Sequence, residues 1–165
     1  MEKTRIFLSA TILTIAAVGQ IILSFLLYDD HGNVIIRNIG WAVLWISAIF
    51  GLLPILTLRK WGKVPEGKGY MHTTTVVDRG VYAIVRHPQY LAGILMGVAL
   101  TLIAQHWIVA ILGAVVVVVT YVDSFEEDRS CLKKFGEDYE RYRERVPRLN
   151  FVTGIVRLLL GNQDQ

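Results

Sequence analysis

The 165-residue chain has one cysteine and four histidines, and only 19% of its residues are charged. Each shortage removes a class of protein. A lone Cys131 excludes an intrachain disulfide framework, and in its charged surroundings it reads as a packed or exposed thiol rather than a nucleophile. His31, His72, His87 and His106 share no spacing with each other or with Cys131 that resembles a metal site. The surplus of basic residues is only +3, and the basic residues flank apolar runs. Anionic lipid and membrane topology explain that placement before any nucleic-acid partner is needed.

What is abundant is apolar surface. Hydrophobic residues make up 53% of the chain and the mean hydropathy is +0.46, too apolar for an ordinary soluble domain of this length. The composition predicts a single all-α, polytopic membrane domain over residues 1–165, with about four transmembrane helices. Residues 6–28 and 38–58 are of spanning length and form the two N-terminal spans of segment 1–58. The first is too long for a signal peptide and shows no small-x-small cleavage site, so it is expected to stay in the mature protein. Pro88–Ala104 and residues 107–122 are two further apolar helices, joined by Gln105-His106 alone. They predict a tight hairpin of the third and fourth helices. Gly93 and Gly97 form a G-x-x-x-G pair that can receive Gly113-Ala114 or serve a homodimer.

With four spans, every Lys and Arg except Arg37 falls on one side: Lys3 and Arg5, the segment 59–86, and everything from Arg129 onward. That side, with both termini, is expected to be cytoplasmic. No organellar retention or import signal is visible, and the small size leans toward a prokaryotic plasma membrane.

The polar connection 59–79 is rich in glycine and ends in a β-prone run, Thr73 to Val77, expected to lie extended. His72 in this loop could approach a ligand. Next comes G-V-Y-A-I-V-R-H-P-Q-Y-L-A-G, Gly80 to Gly93. Proline is tolerated in a first helical turn and disfavours helix at the residue before it, so the third helix should begin at Pro88. Arg86 and His87 then sit beside free helix N–H groups, a setting that favours an anion.

After Val122 come Asp123, Glu126, Glu127 and Asp128, which the hairpin returns toward the level of Arg86 and His87. Acids beside an Arg-His pair either neutralise a buried polar patch or hold a cationic or hydroxyl-bearing ligand while the basic pair holds an anionic part. A zwitterionic, ribose-bearing cofactor meets the second description. Phe125, Leu132, Phe135, Tyr139, Tyr142 and Val146 recur at helical spacing and predict one C-terminal amphipathic interfacial helix over 125–146. Pro147 stops it, and a short apolar stretch follows at 151–160, lying in the interface or packing on the bundle.

The R-H-P-Q-Y segment, the paired acids and the later F-G-E-D-Y-E-R-Y-R-E-R-V-P-R together resemble the isoprenylcysteine carboxyl methyltransferases and their small prokaryotic relatives, grouped with the phospholipid methyltransferases. The resemblance covers about residues 74–151. It implies an integral membrane enzyme using S-adenosylmethionine, leaving S-adenosylhomocysteine, with a lipophilic acceptor that arrives from the bilayer. Carried over by position, Tyr82, His87, Pro88 and Tyr90 contact the cofactor, with Arg86 beside them and the acidic pair Glu126-Glu127 opposite. Thr74, Thr75, Val76 and Val77 align with another cofactor-binding stretch, Thr74 and Thr75 standing where relatives use His and Gln. Asp123 stands where the prenylcysteine enzymes carry an arginine associated with the substrate carboxylate. An acid there favours an amine or thiol acceptor over a prenylcysteine carboxylate.

The implied chemistry is direct in-line transfer, which requires alignment and exclusion of water more than a covalent residue. Glu127 is assigned to cofactor amino or hydroxyl groups, and Asp123 or His87 to the acceptor's proton. Two alternatives stand beside it. One is an NADPH-dependent membrane reductase of the sterol-reductase type, which uses a related H-P-x-Y-x-G hairpin, and the other is a non-catalytic membrane scaffold.

Overall fold

The structure, a computed structural model, describes residues 2–161 and the side chains of 4–160. The side chain of Lys3, counted above among the basic residues, lies outside the described residues. The fold is all-helical, with α1 at Glu2–Leu26, α2 at Val34–Trp61, α3 at Pro88–Ala104, α4 at Trp107–Phe135, α5 at Glu137–Arg145 and α6 at Phe151–Gly161. A 3-10 turn at Gly80–Ala83 precedes α3. Among the described residues, α1 from Thr4, α2 and α4 are long and apolar enough to cross a membrane; α3 and α6 are apolar but shorter.

Helix starts follow local chemistry. The Asn33 side chain accepts from the amides of Ile35 and Ile36, capping α2 and setting its start ahead of the expected residue 38. Pro88 opens α3 as its ring predicts, and the His87 carbonyl receives the Leu91 amide. The α3–α4 turn is confined to Gln105 and His106, with Gln105 at φ 51°. Its end differs from expectation. No glycine or proline interrupts residues 115–135, so α4 runs on through the charged stretch to Phe135. The single amphipathic helix expected over 125–146 is therefore two helices, broken where Gly136 takes a positive φ of 57°. Side-chain periodicity passed across the break because it carries no information about φ.

The chain packs as two compact units, each built from two separated stretches. The first comprises residues up to Ala48 together with Ala92–Asp123. Its centre is Gln20 of α1, fully buried, whose amide donates to the Gly97 carbonyl at 2.8 Å and approaches Thr101 Oγ1 and the Val109 carbonyl at 3.3 and 3.4 Å. A Cβ at Gly113 would come within 2.9 Å of the Gly97 carbonyl and 2.6 Å of Gln20 Nε2. Glycine is what lets α3 and α4 close here. Gly40 likewise admits Ile103 of α3, and Ser47 bonds the Ala92 carbonyl at 2.8 Å. At the turns, the Gln105 amide pairs with both backbone groups of Asn33, while Arg37 bonds the carbonyls of Asp29 and Asp30 and covers the Tyr28 ring. Arg37, the one basic residue outside the charge bias, is thus held by its own turn.

The second unit comprises Ile49–Leu91 and the stretch from Ser124 onward. It holds the end of α2, the loop, the 3-10 turn, the start of α3, the end of α4, and α5 and α6. Tyr139, Tyr142 and Val146 are buried together against Val76, Cys131, Leu132 and Phe135, and Phe50 packs on Phe151 with ring centroids 5.6 Å apart. The Thr73 to Val77 run lies outside any helix, tethered by Thr74, whose amide and hydroxyl bond the carbonyls of Gly62 and Lys63 at 3.0 and 2.9 Å.

Candidate functional site

The charged centre of the second unit is Asp128. Its Oδ1 receives Arg86 Nη1 at 3.0 Å, His87 Nε2 at 2.7 Å and Tyr139 Oη at 2.6 Å, while Oδ2 receives Arg148 Nε at 2.8 Å. Arg86, His87 and Asp128 expose only 8%, 5% and 7% of their side chains, so this is an interior network rather than a surface ion pair. Charges taken from water require such full pairing, since the desolvation cost of each is several kcal/mol, roughly. Arg148 also lies over the Phe125 ring at 3.7 Å. With Nε2 committed to Asp128, any further proton exchange at His87 would have to run through Nδ1.

Beside this network lies a cavity of about 190 Å³. That is an order of magnitude above the roughly 10–15 Å³ a single water occupies on the same measure. Of the residues singled out from the sequence, Thr75, Val76, Val77, Tyr82, Arg86, His87, Pro88, Tyr90 and Glu127 line it. Tyr90, in the first turn of α3, donates to Glu127 Oε2 at 3.4 Å, and its ring meets the His87 ring edge-on at 5.6 Å. Thus the structure brings the R-H-P-x-Y motif and one acid of the pair to the same wall, all within one compact unit.

Four named residues stand elsewhere. Glu127, Ser130, Cys131 and Lys134 fall at positions i, i+3, i+4 and i+7 of α4 and form one stripe along the cavity. Glu126, one residue off that stripe, pairs with Arg129 at 2.9 Å. Thr74 is exposed, its hydroxyl spent on Lys63. Asp123 belongs to the first unit, where it accepts from Ser9 Oγ at 2.5 Å. His72 is exposed and bonds Gly69 within the loop.

The sequence reading missed Asp128 as the organising acid. It also missed Tyr139, Tyr142, Lys134 and Gln89 on the wall, the last of which donates to Tyr70 of the loop at 3.1 Å. Helical phase was the signal that could have found the first: once Glu127 is placed, Asp128 is turned about 100° from it, on a different face. Burial, reinforced by Tyr70, Cys131 and Glu127, pushes the Tyr82 phenol well above its usual range. Burial and the bond to Asp128 do the same to Tyr139, and burial with Tyr82 as neighbour to Tyr142. All three stay O–H donors at any working pH.

The described residues form helices long and apolar enough to cross a membrane, together with a cavity lined by charged, polar and apolar side chains, which is the make-up of an integral membrane protein. The model of the phospholipid methyltransferase family matches residues 36–138, and the chain belongs to that family. It is similar to the protein-S-isoprenylcysteine O-methyltransferases of Rattus norvegicus, 32% identical, and Homo sapiens, 31% identical, each over 137 residues covering 73% of this chain and 48% of the relative. The protein-S-isoprenylcysteine O-methyltransferase B of Arabidopsis thaliana is 33% identical over 115 residues, 62% of this chain and 58% of the relative. The chain spans about half the length of the mammalian relatives it matches. No solved structure matches it.

Proposed function

We propose that this chain is an integral membrane methyltransferase moving a methyl group from S-adenosylmethionine to a lipophilic acceptor. The observation that carries the reading is the cavity whose wall joins Arg86, His87, Pro88 and Tyr90 to Glu127. The donor set fits the cofactor. Arg86 has a buried Nε without a hydrogen-bond partner, a group suited to an incoming acceptor atom such as a carboxylate. Glu127 supplies a carboxylate for ribose hydroxyls or an amine, and Met71, Val76, Val77 and Phe135 supply apolar wall for a purine. When bound, the cofactor supplies an electrophilic methyl group on a sulfonium centre.

The chain's own residues orient and exclude water. The first turn of α3 and Arg86 hold negative charge, Glu127 and Tyr90 fix the polar face, and Asp128 locks Arg86 and His87 in place. His87 is therefore a positioning group first, with Nδ1 as its only route to a proton. Asp123, one helical turn before Glu127 on α4, accepts from Ser9 and does not line the cavity. The acceptor classes are a lipophilic amine or thiol, a phospholipid amine and an isoprenylcysteine-like carboxylate. Four spans, the fourth ending near Val122, with both termini cytoplasmic, agree with the Lys and Arg bias, and α5 and α6 then lie at the cytoplasmic interface.

The test is a mass-spectrometric comparison of membrane lipids from cells expressing the wild-type chain or Glu127→Ala. A lipid gaining 14 mass units (about one CH₂) with the wild type alone supports the reading. Identical lipid profiles at equal expression, with added prenylcysteine and thiol acceptors also unmethylated, would overturn it.

A further inference from the structure

The cavity-lining stretch Tyr82 to His87 is gripped along its length by a part of the chain that the family match does not reach. Tyr142 Oη donates to the Tyr82 carbonyl at 2.7 Å, and Arg157 Nη2 donates to the Ala83 carbonyl. Gly154 abuts Ile84 so closely that a Cβ would overlap the Ile84 carbonyl. The amides of Arg86 and His87 donate to the carbonyls of Pro147 and Arg148 at 3.0 and 3.2 Å. Of these partners, Tyr142 to Arg157 all lie beyond residue 138, where the family match ends.

Arg157 stands out among them. Its guanidinium is a bridge, with Nη1 on the Arg145 carbonyl at the last residue of α5 at 2.6 Å and Nη2 on Ala83. It lies on the face of α6 that carries Gly154, opposite Val152, Ile155, Val156 and Leu159, which are exposed. It does not line the cavity. A planar fork pre-organised across two backbone carbonyls fixes distance and orientation between the segments that bear them. One of those segments carries Tyr82 and Arg86 into the cavity wall, and the other carries Tyr139 and Tyr142.

We infer that Arg157, seated by Gly154, is a positioning residue for the cofactor cavity: it clamps the Tyr82–His87 backbone to the end of α5 and so sets the spacing of the two walls. This rests on the cofactor reading above, and the readouts below separate the two. In detergent-solubilised full chain, amide exchange at Arg86 and His87 should quicken about tenfold in Arg157→Ala while α1 and α4 keep wild-type protection. The dissociation constant of S-adenosylhomocysteine should rise about tenfold in Arg157→Ala and stay raised by about fivefold or more in Arg157→Lys, whose ammonium keeps the charge but not the fork that spans both carbonyls. Gly154→Leu, which unseats α6 from Ile84, should reproduce both changes with Arg157 intact. Unchanged exchange at Arg86 and His87, or loss of protection spread evenly through α1 and α4, overturns the clamp. If the wild type fails to bind S-adenosylhomocysteine, the functional reading falls, and exchange at Arg86 and His87 still decides the clamp.

Discussion

The two units solve the problem of polarity in an apolar chain in opposite ways. The first tolerates one buried amide, Gln20, and meets it mainly with backbone carbonyls exposed by close helix approach at Gly97 and Gly113. The second gathers four donors on Asp128 and leaves a cavity of mixed polar and apolar lining next to them. Small residues and one hydrogen-bonded amide make a frame; a buried charge network borders the cavity. Interhelical bonds in lipid contribute about 0.6 kcal/mol on average, whereas removing one partner of a buried charge set costs about 3–5 kcal/mol. The larger single interaction energies therefore lie beside the proposed cofactor cavity.

The largest break in this contrast should come from Asp128→Ala. It strands Arg86, His87 and Arg148 and should destabilise the protein by about 3–5 kcal/mol, seen as a lowered thermal midpoint in detergent, together with loss of S-adenosylhomocysteine binding. Glu127→Gln touches the cavity but not the network. It should weaken cofactor binding by about 1.5–3 kcal/mol, or roughly ten- to hundredfold, in a binding titration while the thermal midpoint holds. In the frame, Gly113→Ala forces a methyl group against Thr101 Oγ1 and Gln20 Nε2. Overpacking of this kind should cost about 1–3 kcal/mol by thermal denaturation. Gln20→Leu should be the mildest, about 0.6 kcal/mol, because the reference state in lipid also finds partners for an amide. A Gln20→Leu loss as large as that of Asp128→Ala would erase the distinction between the units.

Much of this was legible because it is local. Pro88 announced the start of α3, the Gln105-His106 pair announced the hairpin turn, and the R-H-P-x-Y residues announced their wall of the cavity. What could not be read depends on distant partners or on backbone angles. Four acids at 123, 126, 127 and 128 look alike in sequence. Only the tertiary placement of Arg86, His87 and Tyr139 turns Asp128 inward and leaves Glu126 to Arg129. The break at Gly136 was hidden because a glycine within an otherwise regular apolar spacing is compatible with a continuous helix. The grip of residues 142–157 on Tyr82–His87 spans 60 or more residues of sequence and runs largely through carbonyls, which have no side-chain signature.

The most direct measurement is a calorimetric titration of the solubilised chain with S-adenosylhomocysteine, and separately with NADPH, for wild type and Glu127→Gln. The account predicts saturable binding of S-adenosylhomocysteine to the wild type, about ten- to hundredfold weaker binding to Glu127→Gln, and no response to NADPH. Binding of NADPH instead, or S-adenosylhomocysteine affinity indifferent to Glu127, would contradict it.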